Sequence, residues 1–178
     1  MVLDLQPTLS GDLLELRPLR PADFDALFRA ASDPLIWEQH PESDRYTEPT
    51  FRRFFQGGLD SGGALVAVDR QTANIIGSSR YHGYDPGTSV VEIGWTFLAR
   101  SYWGGRYNGE MKRLMLEHAF TAVTRVIFVI GPENHRSRRA VEKLGATLAG
   151  TMNERHGQDR VVYELTQEQY ASARGPMR

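Results

Sequence analysis

"SYWGGRYNGEMKRLMLEHAF", residues Ser101 to Phe120, sets three glycines (Gly104, Gly105, Gly109) at the mouth of the most regular helix in the sequence. Met111, Leu114, Met115, His118, Ala119 and Ala122 recur at three- and four-residue steps and leave one apolar stripe. On that stripe the two methionines and His118 read as core residues. A glycine-rich turn ahead of such a helix suits an anion. The first helical N–H groups lack intrahelical partners, the peptide dipoles favour negative charge, and glycine admits the positive φ that makes N–H groups converge. A glycine pair standing alone also reads as an ordinary strand-to-helix turn. The stretch is neither a Gly-Lys-Ser/Thr phosphate loop nor a G-x-G-x-x-G fingerprint.

Working outward, "LLELRPL" (13–19) alternates as a strand, and "RPADFDALFRAASDP" starts a helix at Pro21 that ends before Pro34. A Pro- and acid-rich loop, "PLIWEQHPESDRYTEP", follows, then a short helix in "TFRRFFQGG" closed by its glycines. Three strand signals come next: "ALVAVDR", "NIIGSSRYHG" and "SVVEIGWTFLA". Beyond the glycine turn and its helix, "RVIFVI" reads as a strand buried on both faces and "NHRSRRAVEKLG" as a helix stopped by Gly145. "ATLAGTMNER" and "RVVYELT" form a closing hairpin, and "TQEQYASARGPMR" a short helix with a loose tail. The order β-α-α-β-β-β-α-β-α-β-β is that of a mixed α/β domain.

The 178 residues suffice for one sizeable core, so one domain is predicted over 1–178. Twenty-one basic and 22 acidic residues give a formal charge of −1, which offers no global field to nucleic acid or acidic membranes. Cysteine is absent, which removes disulfides, thiolate metal sites and a Cys nucleophile together. The five histidines show no metal-ligand spacing. With no apolar run long enough to span a bilayer and no signal-peptide pattern in "MVLDLQPTLSG", a cytoplasmic protein is expected.

Three motifs, in order, carry a resemblance: "EIGWTF" at 92–97, "YWGGRYNGE" at 102–110 and "NHRSRRAVEKLG" at 134–145. Together they resemble the GNAT N-acetyltransferase superfamily, especially its RimJ/RimL-like branch, over roughly Leu13 to Leu165. That family carries a strand like "EIGW", a loop like "YWGKGYATEA" and a later "NxxSxxxxEKxG". The resemblance implies an α/β (mixed α+β) GNAT fold. Its sheet would be mostly antiparallel and six- to seven-stranded, splayed between the fourth and fifth strands and flanked by about four helices. It also implies acetyl-CoA as cosubstrate, no metal, and direct transfer to an amine in a ternary complex. The acceptor would be a protein N-terminus or a small amine. Homodimers are common in the family.

By the same resemblance, Trp103, Gly104, Gly105, Arg106, Tyr107, Asn108 and Gly109 would receive the pyrophosphate, and backbone groups of Thr96, Phe97 and Leu98 the pantetheine and thioester carbonyl. Arg106 and Asn108 stand where the family pattern has Gly and Gly or Ala. Asn134 would hydrogen-bond the pantetheine and Ser137 would lie near the sulfur as an acid, since this helix lacks the Tyr many relatives use. Read from the residues alone, Asn134 is equally a helix cap.

The chemistry needs a proton acceptor, because an amine with a pKa of about 8 to 10 must attack unprotonated. Glu92, a carboxylate within "VVEIGW", is the first candidate. Alternation puts Glu92, Gly94 and Thr96 on one face and Ile93, Trp95 and Phe97 on the other, unless a bulge intervenes. Glu154 and His156, two apart on the penultimate strand, are further candidates for polarising the amine. Trp37, His40 and His82 are expected to wall the acceptor pocket, and the acidic loop "EQHPESD" beside it to favour a cationic acceptor. A second function class fits the same motifs: a non-catalytic acyl-CoA-binding sensor or interaction module on this fold.

Overall fold

The computed structural model describes residues 2–153 and 159–174. In chain order the elements are β1 (Leu9–Ser10), β2 (Leu14–Pro18), α1 (Phe24–Ala31), α2 (Glu48–Ser61), β3 (Ala64–Asp69), β4 (Ile75–Asp85) and β5 (Val90–Leu98). There follow α3 (Arg106–Ala119), β6 (Arg125–Ile130), α4 (His135–Glu142), β7 (Thr147–Asn153), β8 (Asp159–Thr166) and α5 (Gln167–Arg174). Among the described residues no helix is long and apolar enough to cross a membrane.

The eight strands form one sheet in the order β1-β2-β3-β4-β5-β6-β8-β7. Every neighbouring pair is antiparallel except β5 and β6. That parallel pair has only three rungs, Val90 with Arg125, Val91 with Val126 and Glu92 with Ile127, although β5 continues to Leu98 and β6 to Ile130. The two strands therefore part after Glu92, which is the expected splay.

Two expected counts change. Residues Leu9–Ser10 add a two-residue edge strand, which makes the sheet eight-stranded and moves the splay to the fifth and sixth strands. The C-terminal stretch forms the short helix expected there, a fifth where the resemblance implied about four. The helix after the acidic loop is also longer than expected: it runs through Gly57 and Gly58 and stops at Gly62, in left-handed conformation with φ +63. Gly58 is there for packing, since a Cβ on it would lie 2.9 Å from Leu19 Cδ2 and 3.3 Å from Arg80 Nη2.

The sheet separates two apolar clusters. Leu65 and Ala67 of β3 face the cluster built with α3, α4 and α5, while Ala64 and Val66 face that of α1 and α2. Burial on both faces explains why "ALVAV" is continuously apolar. The first cluster holds Met111, Met115, Val126 and Phe128, and the second Leu27, Trp37, Phe51, Phe55 and Phe97. Glu110 of α3 joins the helix to the start of β2 by accepting the N–H groups of Asp12, Leu13 and Leu14 at 2.8, 2.8 and 2.9 Å.

Candidate active site

The centre of β5 is bulged. Ser78 pairs with Phe97 and Arg80 with Gly94, so Trp95 and Thr96 together stand opposite Ser79. Trp95 takes φ +52, a conformation that a bulky residue adopts only when its surroundings impose it. Its ring is held by His82 at 5.1 Å and by the Arg80 guanidinium at 4.5 Å. The bulge resets the alternation. Val91, Ile93 and Leu98 belong to the α3-side cluster and Phe97 to the α2-side one. Thr96, expected beside Glu92, instead turns towards α3, while Trp95 and Phe97 join the Glu92 face.

Behind the bulge lies a chain of polar groups. Lys112 Nζ donates to Thr96 Oγ1 at 2.7 Å, Thr96 Oγ1 lies 2.8 Å from Ser79 Oγ, and Ser79 Oγ reaches the Gly94 carbonyl at 3.4 Å. Lys112 is buried, with its ammonium 5.5 Å from the Phe128 ring centre, and burial pulls its pKa down to about 7.

Glu92 occupies the last rung of the β5–β6 pair, at the apex of the splay. On the α2 side of the sheet it lies opposite His82 and diagonal to Arg80, and its Oε1 would be 3.1 Å from a Cβ on Gly94. The far end of β5 leads into the glycine turn. Gly104 and Gly105 have φ +108 and +101, and a Cβ built on either meets nothing within 4 Å. Gly105 caps α3 without a side-chain hydrogen bond, so the first helical N–H groups receive no side-chain partner from the cap. Arg106 is the exposed first residue of α3 and Tyr107 donates to Asp69 Oδ1 at 2.9 Å, so neither side chain fills the turn. Asn108 and Gly109 complete the first helical turn.

Trp103 anchors this turn by donating its indole N–H to the Leu98 carbonyl at 2.9 Å. Arg136 of α4 stacks on it at 4.2 Å and donates to the Ile36 carbonyl at 2.7 Å, which links the turn, α4 and the loop after α1. On the β6 side of the splay Asn134 caps α4, its Oδ1 accepting the Ser137 N–H at 3.2 Å. The capping reading of Asn134 is thus realised, and Ser137 sits half-buried in the first turn.

The wall opposite consists of the α1–α2 loop. Trp37 is buried in the α2-side core and bonded through its indole N–H to the Ala31 carbonyl at 2.8 Å, so it supports the wall from behind. His40 accepts the Glu42 N–H on Nδ1 at 3.0 Å, which puts its proton on Nε2. Burial, with Arg45 and Arg160 adding repulsion, pulls its pKa down to about 3, so it is neutral at physiological pH. Of the acidic loop, Glu42 pairs with Arg45 and Asp44 accepts from Thr50, which leaves less negative charge than the sequence suggests. His82 is exposed at the edge of the face. Residues Glu154 and His156 lie outside the described residues.

A cavity of about 360 Å³ opens between this loop and the end of β6, lined by Gln39, His40, Pro41, Gly131, Pro132 and Asp159 among others. A smaller one, about 200 Å³, lies between α3 and α5 and includes Gly109, Arg113, Lys143 and Arg174. Two of its three cations are already paired with Glu117.

The site contains residues that periodicity did not single out: Arg45, Arg80, Lys112 and Arg136. For Arg80 a signal existed, because a charge inside the strand run "NIIGSSRYHG" needs the same justification as Glu92. Lys112 carried a weaker one as one of two lysines, set one turn before Leu116 on the flank of the apolar stripe.

The model of the acetyltransferase (GNAT) domain family matches residues 14–147. Among solved structures, a protein described as an acetyltransferase from T. thermophilus is 29% identical, with a TM-score of 0.74 over 93% of this chain and 92% of its own. A GCN5-related N-acetyltransferase from Brucella melitensis gives 19% identity and a TM-score of 0.83, over 94% and 82%. RimJ of Mycobacterium smegmatis, solved with CoA-disulfide, gives 21% and 0.69, over 94% and 92%.

Proposed function

Because the chain belongs to the GNAT acetyltransferase family, we propose that it transfers the acetyl group of acetyl-CoA directly to an amine, with Glu92 as the base. The observation that carries this reading is the position of Glu92. It ends the β5–β6 ladder at the apex of the splay, and the same strand runs on to the bulge and the open glycine turn. We assign the whole chain to one acyltransferase domain.

The residues present fit acetyl-CoA. The turn at Gly104 and Gly105 is open to close approach, and the start of α3 offers N–H groups and a favourable dipole to a pyrophosphate. Between the parted strands, backbone groups of Thr96, Phe97 and Leu98 would meet the pantetheine. The RimJ neighbour, solved with CoA-disulfide, supports the same ligand here.

When bound, acetyl-CoA supplies an acetyl group activated as a thioester. The chain does the rest. Glu92 takes a proton from the incoming ammonium so that the amine attacks neutral. The strained Trp95 turn holds the backbone beyond it in a fixed orientation, and the Lys112–Thr96–Ser79 chain braces it from behind. Ser137, in the first turn of α4, is the candidate proton donor to the departing sulfur. Positioning two reactants between two strand walls accounts for much of the acceleration.

Calorimetric titration with acetyl-CoA, 3′-dephospho-CoA and ATP, followed by amine-dependent release of CoA, tests the proposal. Micromolar acetyl-CoA binding with ATP much weaker, and turnover on at least one amine, is expected. Binding without turnover on any amine would favour the sensor alternative. Absence of binding would remove the enzymatic reading.

A further inference from the structure

Two guanidinium groups are buried on the Glu92 face, both near Phe54. Arg45 is 5% exposed and lies 5.0 Å from the Trp37 ring and 4.6 Å from Phe54. Arg80 is 7% exposed and lies 4.5 Å from Trp95 and 5.9 Å from Phe54. Aromatic rings thus lie within cation–π distance of both guanidinium groups.

The guanidinium edges are incompletely used. The Nε atoms of Arg45 and Arg80 are buried donors with no hydrogen-bond partner among the described residues. Among the described residues Arg80 makes one long hydrogen bond, Nη2 to the Phe54 carbonyl at 3.5 Å, and is attracted by the Glu92 carboxylate. Arg45 donates to Glu42, and its Nη1 stands 3.4 Å from a His40 nitrogen that carries its own proton. Arg160 adds a third positive charge near Arg45 and His40. Buried N–H groups are rarely left unmatched, and a charged one costs most. A planar pair of oxygens is the natural complement of the guanidinium fork.

The position of Arg80 gives this a direction. It pairs with Gly94 while His82 pairs with Glu92, so Arg80 and Glu92 are diagonal neighbours on one face. Diagonal positions on adjacent strands are about 7–8 Å apart between backbones, within joint reach of two long side chains. A molecule with an ammonium and a carboxylate one or two carbons apart would meet both. We infer that the acceptor is a free amino acid, its amine delivered to Glu92 and its carboxylate held by Arg80, with Arg45 assisting. This rests on the proposed acetyl transfer and narrows it. The residue at a protein N-terminus carries an amide where the free amino acid carries a carboxylate, so it would leave the arginine donors unmatched. The inference adds a carboxylate requirement to the cationic character that the acidic loop was expected to favour.

The test compares each proteinogenic L-amino acid with its α-amide as acceptor for the full-length protein, by kcat/KM for CoA release and product mass. The acid should exceed its amide by roughly 10- to 100-fold, the discrimination expected from charge-assisted bonds in a buried site. Arg80→Gln should bring that ratio close to one, and Arg80→Lys should restore it only in part. Equal rates for acid and amide, or faster rates for the amide, would overturn the inference and leave acetyl transfer standing. Should neither series react, binding decides: with CoA present, N-acetylglycine should bind at least 10-fold more tightly than N-acetylglycinamide by calorimetry. Equal or undetectable binding of the two would overturn the inference. A retained preference without turnover would uphold the carboxylate site and count against Glu92 as base. If Arg80→Gln fails to fold, the wild-type comparison still decides.

Discussion

Lys112 Nζ lies 2.7 Å from Thr96 Oγ1, which ties the middle of α3 to the bulged residue of β5. The contact holds a cation inside the protein, and burial pulls its pKa to about 7 from an ordinary value of 10.5. A depressed lysine costs the fold stability wherever the unfolded chain still binds the proton more readily. That cost is complete below about pH 7 and is relieved as pH rises towards 10.5. Lys112→Met should therefore be more stable than the wild type at pH 6, by on the order of 3 kcal/mol after the lost hydrogen bond is counted. The gap should shrink towards pH 10. Urea unfolding across this range measures it, and a pH-independent gap would refute the assignment.

Glu110 acts in the opposite sense. Burial alone would raise its pKa, but the N–H groups of Leu14, Leu13 and Asp12 outweigh burial and hold it below the usual range. Such a carboxylate stabilises fully above the unfolded value of about 4.3 and loses that contribution as pH falls through the lower folded value. Glu110→Ala should cost roughly 3 kcal/mol at pH 7, because three backbone donors lose a charged acceptor. At pH 3 the difference should narrow. Thermal unfolding at the two pH values checks this.

Two glycines near β5 separate packing from conformation. A Cβ on Gly77 would lie 2.1 Å from the Phe97 carbonyl oxygen, so Gly77→Ala must push β4 from β5 at the bulge. It should cost roughly 2 kcal/mol or more and impair turnover as well. Gly105 has open space and φ +101, so Gly105→Ala meets only backbone strain of about 1–2 kcal/mol. Its larger effect should be on the affinity for acetyl-CoA, by roughly 10-fold if that strain is relieved by reshaping the turn. Melting temperature and calorimetry distinguish the two.

Much of this architecture is legible in the residues because burial leaves periods behind. "ALVAV" lacks alternation since both its faces are covered, and the stripe from Met111 to Ala119 follows the helix. The glycine turn reads as an open turn because nothing else there demands three glycines. The bulge leaves no such mark. It is one extra residue of backbone, carried by a Trp whose own preferences oppose positive φ, and it moves Thr96 to the other face. Buried charge is also hidden from a polar-outside reading. Arg45 looks like a solvated position, and Lys112 and Arg80 carry only weak signals of burial, until aromatic rings from distant segments close over them. Residues Leu9–Ser10 are too few to show a period at all.

The role of Glu92 yields the sharpest kinetic expectation. Glu92→Gln preserves size and one acceptor oxygen but cannot take a proton. If Glu92 is the base, kcat/KM for the amine should fall by about 10²- to 10⁴-fold. Acetyl-CoA affinity should remain within a factor of about two, because the glycine turn and β5 beyond the bulge are untouched. The pH profile separates a base from a merely positioning carboxylate. Loss of the base should leave a residual rate that keeps rising with pH as free amine accumulates, whereas a positioning role would preserve the wild-type profile at a lower level. Aspartate at this position shortens the reach by about one carbon–carbon bond, so Glu92→Asp should recover part of the rate and all of the profile's shape. Wild-type turnover by Glu92→Gln would sink the assignment and leave water or the amine's own ionisation as the route for the proton.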